Sequence, residues 1–298
     1  MAQSSLKGLI IRTAVVRMPG LGYIYAADPK KEKRGVPHTI TFRFKDGVLT
    51  RAEANYDAHS LTLIAKPEAG LVSIAGNGYY SVITAQGSKS GDIFSNSTPA
   101  PPTPRVSGIR SVSSVDGEAY AIGLRGIVYR LTGLKTWARI DEGLPETFNG
   151  QALHGFSPGD LYAVGREGAL WQFDGTQWTR REPPTSETLT AVKCAGNGRV
   201  YVAGHGGVLL EGRGDSWRAI PHGGTEDNIW DLEWFQDRLY VSTLSGLYRL
   251  EGERLEAVDF GADSPKSCYQ LSTCEGVMWS SGEADIMSFD GTRWTRVV

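Results

Sequence analysis

The chain has 298 residues, a formal net charge of −2, 40% hydrophobic and 21% charged residues and 37 glycines, a soluble composition long enough to bury a large core. The near-neutral balance argues against a general nucleic-acid binder, and no apolar run reaches the length of a membrane span. Three cysteines without close pairing argue against a disulfide framework, and Met1 to Met18 lack the unbroken apolar block of a secretory leader, so the cytoplasm is the expected compartment.

In chain order, Tyr23–Ala27, Thr39–Phe44 and Val48–Ala52 read as the last three strands of a first, irregular unit, residues 1–57. Asp46-Gly47 supplies its last hairpin turn, because both residues accept positive φ. This unit holds ten Lys/Arg against five Asp/Glu, and the run Lys30-Lys31-Glu32-Lys33-Arg34 falls between its second and third strands. A second irregular unit, residues 58–108, is expected to place strands at Leu71–Ile74, Tyr79–Thr84 and Asp92–Ser95. Its fourth strand is obscured by Pro99-Ala-Pro-Pro-Thr-Pro104, too rich in proline for a sheet interior.

From about Ile109 the chain repeats itself. Gly117-Glu-Ala-Tyr-Ala-Ile-Gly123, Gly159-Asp-Leu-Tyr-Ala-Val-Gly165, Gly198-Arg-Val-Tyr-Val-Ala-Gly204, Asp237-Arg-Leu-Tyr-Val-Ser-Thr243 and Gly276-Val-Met-Trp-Ser-Ser-Gly282 align. Their aromatics, Tyr120, Tyr162, Tyr201, Tyr240 and Trp279, are spaced 42, 39, 39 and 39 residues apart. A second marker (Trp137, Trp178, Trp217, Leu255, Trp294) keeps the same phase and opens a short strand after a turn such as Asp174-Gly175-Thr176 or Asp290-Gly291-Thr292. Each unit therefore reads as four short strands bounded by glycine, with the tryptophans wedged between adjacent sheets. A period near 40 residues is that of a propeller blade. The expected architecture is all-β, a single β-propeller over 1–298 with seven four-stranded blades, six being the rival count. The regular blades are residues 109–150, 151–188, 189–228, 229–267 and 268–298.

The passage Leu161 to Trp178, Leu-Tyr-Ala-Val-Gly followed by Gly-Ala-Leu-Trp-Gln-Phe-Asp-Gly-Thr-Gln-Trp, resembles bacterial seven-bladed propeller repeat proteins of the broad WD40/YVTN-like superfamily. The resemblance covers about two thirds of the chain. It departs from true WD40 repeats, since Trp230-Asp231 occurs once and out of phase. The turn at Asp174 is also similar to the Asp-box of sialidase-like propellers, but its Asp and Gly are adjacent, so sialidase activity does not follow. The superfamily hosts enzymes, scaffolds and receptors alike.

In a propeller, the loops joining second to third strands and fourth to next first strands share one face, around the channel mouth. The second-to-third turns put Arg125, Arg166, Glu167, His205, Glu283 and Asp285 there. These residues could form a polar pocket, although tight turns favour polar residues without any ligand. The connections to the next blade, Asp141–Gln151, Glu182–Thr188, Pro221–Asn228 and Asp259–Ser267, together carry −8. That count predicts an acidic rim, with Asp141, Glu142, Glu146, Glu226 and Asp227 as its candidate binding residues.

No catalytic triad, phosphate-cradling loop or paired-carboxylate motif is present, so no catalytic residue is assigned. The five histidines are scattered and the cysteines read as buried core; no metal and no cofactor is expected. The sequence thus favours a non-catalytic protein-binding platform, with no nucleic acid, no membrane and an undetermined oligomeric state. The resemblance implies a bacterial immunity-type member that neutralises a cognate toxin, and the acidic rim suits a basic toxin domain. Two alternatives stand beside it. One is a hydrolase or lyase at the channel mouth. The other is a small-ligand or glycan binder using Trp230 or Trp234, which fall outside the tryptophan register.

Overall fold

The computed structural model describes residues 6–100 and 108–298. Seven antiparallel sheets follow one another along the chain, and in each the four strands pair in sequence order. We number them blades 1 to 7, starting at Ile10, Ala58, Ile109, Gly150, Leu189, Ile229 and Gln270. This is the seven-bladed β-propeller architecture that the repeat predicts.

Local chemistry explains the strand order. Asp46-Gly47, Asp116-Gly117 and Glu275-Gly276 have φ of 47° and 84°, 49° and 76°, and 47° and 78°. Positive φ at both central residues matches the twist of a two-residue hairpin. Asp174-Gly175 works differently. Only Gly175 is left-handed there, at φ 99°, because the Asp174 carboxylate builds the turn instead. Its Oδ1 accepts from the Thr176 amide at 2.8 Å, the Thr176 hydroxyl at 2.6 Å and the Gln177 amide at 2.9 Å. Asp290 repeats the arrangement with Thr292 and Arg293.

The chain divides into two compact units, Ala58–Ala219, and Met1–Asp57 with Ile220–Val298. In the first, the opening strands of blades 2, 3, 4 and 5 touch one another in succession, which makes them the innermost strands. Tyr120 and Tyr162 are fully buried, and Trp137 meets Tyr80 edge-on at 5.5 Å across the blade 2–3 boundary. The Trp178 indole donates to the Ile140 carbonyl at 2.6 Å. The buried Trp137 and Trp178 therefore act as wedges, and Trp178 satisfies its polar edge as well.

In the second unit, blade 7 packs directly on blade 1. Ile11, Val16, Ile24, Ile40 and Phe42 share a core with Val277, Trp279 and Ile286. The Ile11 amide donates to the Glu283 carbonyl at 2.8 Å and the Val16 amide to Ser272 Oγ at 3.1 Å. Both blades are built from contiguous sequence, so this seam closes by packing rather than by an exchanged strand.

Blade 2 departs from its predicted layout. Its first strand is Ala58–Ile64, its second Gly70–Ala75, and its fourth is Gly87–Asp92, which carries no apolar residue. An outermost strand needs no buried face, so it lacks the pattern that reveals its neighbours. Asp92–Ser95 is a turn, closed by Asp92 Oδ1 accepting from the Ser95 amide at 2.8 Å and its hydroxyl at 2.9 Å. Ser97–Thr98 then adds a parallel edge strand to blade 3, just before the prolines; Pro101, Pro102 and Pro104 lie outside the described residues. The basic run forms one helical turn, Pro29–Glu32, capped by Asp28 Oδ1 accepting from the Lys30 amide at 2.8 Å.

Candidate functional site

The second-to-third turns are fixed by backbone hydrogen bonds. In blades 3 and 4 the turn glycines, Gly126 and Gly168, have φ of 65° and 64°. Their amides donate to the Phe148 carbonyl at 2.8 Å and the Glu187 carbonyl at 2.9 Å, both in the outgoing connection. The incoming connections clasp the other side. Leu124 N–H donates to Gly108 at 2.7 Å, Arg166 N–H to Asn149 at 3.3 Å and His205 N–H to Thr188 at 2.9 Å. Turn and connections thus form one layer, in which a side chain on either can reach the other.

Arg125 and Glu146 do so, at 2.6 Å, with both side chains more than half exposed. Solvent screening makes that pair worth little to stability. Arg166 and Glu167 are exposed beside each other, and His205 is half-buried on a single 3-10 turn. Asp141 is engaged by Arg139 at 2.8 Å, whereas Glu142 lies exposed.

In the other unit, Glu226 and Asp227 are exposed, and Asp227 accepts from the Ser245 hydroxyl at 2.5 Å. Glu283 is exposed too, while its amide donates to Ser267 Oγ at 3.0 Å. Asp285 is placed otherwise than the polar-pocket reading expects. It is buried, with one oxygen held by Arg296 and the other accepting from the Lys266 amide at 2.9 Å. Arg296 also grips Asp263 at 2.6 Å, so Asp285 anchors the blade 6–7 connection and is not open as a base. The basic helical turn is offset at one residue, Lys31, which pairs with Glu53 at 3.0 Å, while its own Glu32 pairs with Arg12 of the first strand. Lys30, Lys33 and Arg34 stay exposed.

Burial raises the thiol pKa of Cys194, Cys268 and Cys274, the opposite of what a nucleophile needs. Burial, and secondarily Lys193, holds His154 neutral, and its Nδ1 accepts from the Cys194 amide at 3.2 Å. Among the described residues, no three His, Cys, Asp or Glu side chains converge to hold a metal ion.

Two features escape the repeat alignment. Polar side chains on innermost strands bond the backbone of the next blade 40 residues on: Ser111 to Gln151 at 3.0 Å, Ser113 to Leu153 at 2.7 Å, and Asp231 to the Leu271 amide at 2.9 Å. In addition, the first strands of blades 1 to 6 each break register near their start, between Ile11 and Thr13, Ala58 and Ser60, Ile109 and Ser111, Gly150 and Ala152, Leu189 and Ala191, and Ile229 and Asp231. The extra residues are Arg12, His59, Arg110, Gln151, Thr190 and Trp230. A bulge re-aims the side chain it carries. In sequence, a polar or aromatic residue at the second position of the innermost strands of blades 2 to 6, and at the third in blade 1, is the signal that would have found them.

No established family profile matches the chain. The immune protein Tsi7 of Pseudomonas aeruginosa does match, at 35% identity over 299 aligned positions that span 96% of each chain. The chain belongs to the Tsi7 family of immune proteins. Among solved structures, virginiamycin B lyase from Staphylococcus aureus, in a catalytically inactive form with quinupristin, superposes with TM-score 0.76 at 11% identity, covering 95% of this chain and 94% of the lyase. YCF48 bound to a D1 peptide gives 0.67 at 15% identity, over 95% and 92%. The WD40 propeller domain of Doa1 gives 0.65 at 10%, over 97% and 92%. At such identities these likenesses establish the propeller fold alone.

Proposed function

We propose that this immune protein works by binding a protein toxin and blocking it, and that the toxin presents a basic surface to the acidic connections between blades. Family membership over nearly the whole chain is the observation that carries the first part. The second rests on exposed carboxylates, Glu142 and Glu146 in one unit and Glu226 and Asp227 in the other, on loops of the same topological class. Glu142 and Glu226 are the most informative probes. Glu146 pairs with Arg125 and Asp227 accepts from Ser245, so changing those two also perturbs their partners.

Exposed interfacial charges act chiefly on association rate and salt dependence. Replacing Glu142→Lys and Glu226→Lys together should slow association with the neutralised toxin by about tenfold at low ionic strength, with a smaller effect at high salt. Surface plasmon resonance at two salt concentrations reads this. Unchanged association by the double variant would remove the basic-surface reading and leave toxin binding in place.

A further inference from the structure

Blade 1 carries an addition that no other blade repeats. The second-to-third connection is three or four residues long in each of blades 2 to 7, but eleven, residues 28–38, in blade 1. The addition is a built structure. His38 is buried, and its ring closes the loop on itself: Nε2 accepts from the Asp28 amide at 2.7 Å and Nδ1 donates to the Val36 carbonyl at 2.8 Å. The His38 amide donates to Asp57 Oδ1 at 2.9 Å, which ties the loop to the outgoing connection. Between these anchors the Gly35 amide donates to the Glu32 carbonyl at 2.8 Å, and the Val36 amide to that of Lys31 at 3.1 Å. A loop fixed in this way loses little further freedom when a partner docks.

The surface it presents is basic. Its carboxylates and those it touches are all engaged: Asp28 by the Lys30 amide, Asp57 by His38, Glu32 by Arg12, and Glu53 by Lys31 and Arg51. Among the described residues, Lys30, Lys33 and Arg34 enter no ion pair, and all three are exposed. Val36, 44% exposed, adds an apolar tip. Elsewhere in this unit the loops of the same face carry the opposite sign, with Glu226, Asp227 and Glu283 exposed. The blade 1 loop is thus a fixed basic element among acidic ones.

We propose that the 28–38 loop is a pre-formed seat for an acidic segment of the toxin. The bound toxin then meets the acidic loops and this basic loop with patches of opposite sign. Loops of one sign would attract a basic partner in many orientations. One basic loop among them selects a single orientation, because other docking angles set like charges together. The inference rests on the toxin-binding reading for the identity of the partner.

Two measurements test it. In the first, the 15N-labelled full chain is titrated with an acetylated Glu-Glu-Leu-Glu-Glu peptide. The amide shifts should fall on residues 28–38, with a Kd on the order of 1 mM. Equal shifts around Lys45 and Lys135, which are exposed on third-to-fourth hairpins, would overturn the seat. The second follows the toxin by surface plasmon resonance. Lys30 and Lys33 hold the loop through their backbones only, so Lys30→Glu with Lys33→Glu leaves its hydrogen bonds in place. That variant should slow association about tenfold at low ionic strength. A toxin drawn only through a basic surface would associate faster with this more acidic chain, and that result would overturn the proposal. The matched pair Lys45→Glu with Lys135→Glu should not slow association; equal slowing would overturn it too. His38→Ala, checked for an unchanged fold by circular dichroism, keeps every lysine and arginine and should raise the dissociation rate about threefold. An unchanged rate would show that the seat is not pre-formed. If the toxin binds the native chain and the Lys30/Lys33 variant alike, the seat is wrong and the immune function stands. If the native chain binds no toxin, the toxin-binding reading itself falls.

Discussion

At the scale of the residue, single atoms decide whether a turn can exist. A Cβ on Gly126 would sit 2.5 Å from the Pro145 carbonyl oxygen, and one on Gly168 would sit 2.2 Å from that of Thr185. Both glycines are left-handed as well. Gly168→Ala should therefore lower unfolding stability by about 1–3 kcal/mol in urea titration, whereas Ala at Gly206, with open space around its Cβ, should cost less. Asp174 and Asp290 give a prediction in pH. Hydrogen bonds from Thr176 and Gln177, and from Thr292 and Arg293, lower each carboxyl from 3.8 to about 2. A depressed folded pKa means stability that is present above the unfolded value and lost as pH falls. The loss should begin near pH 3.8 and be complete below about 2. Melting curves of the native chain and of Asp174→Ala with Asp290→Ala should converge as pH is lowered through that window. A constant difference in Tm would contradict the assignment.

At the scale of the element, the blade repeat was legible because its markers are obligatory. A strand buried on both faces must be apolar, as in Tyr120-Ala-Ile122 and Tyr162-Ala-Val164, and its bounding turns must contain residues that accept positive φ. The fourth strand of blade 2 was not legible, since Gly-Ser-Lys-Ser-Gly-Asp has no buried face to record. The six bulges were missed for a related reason. A one-residue insertion leaves the period of the repeat unchanged and alters only where a side chain points. The exposed candidates Arg125, Arg166, Glu167 and Glu283 were placed on the right turns by topology alone. Asp285 was not legible as an anchor, because nothing near it in sequence reveals Arg296 or Asp263. The stitches between blades carry their own expectation. Asp231→Ala removes the acceptor of the buried Leu271 amide and should cost about 1–3 kcal/mol, while Ser113→Ala should cost about 0.5–1.5 kcal/mol, both read from urea midpoints. Equal stability of Asp231→Ala and the native chain would show that the stitch is dispensable.

At the scale of the whole molecule, seven blades made from contiguous sequence give a scaffold whose connections vary while its strands repeat. The Tsi7 family relationship explains what such a scaffold is for, and the mode of action proposed for it is inhibition by occupancy. The two ideas together make a quantitative claim, because an occupying inhibitor is consumed mole for mole. The direct test is to titrate a fixed amount of the toxin with the chain, well above the Kd, and assay residual toxin activity after different times. The account predicts a linear fall to an endpoint at equimolar chain, unchanged by longer incubation. Progressive loss of toxin activity at far less than equimolar chain would mean turnover, and would contradict it.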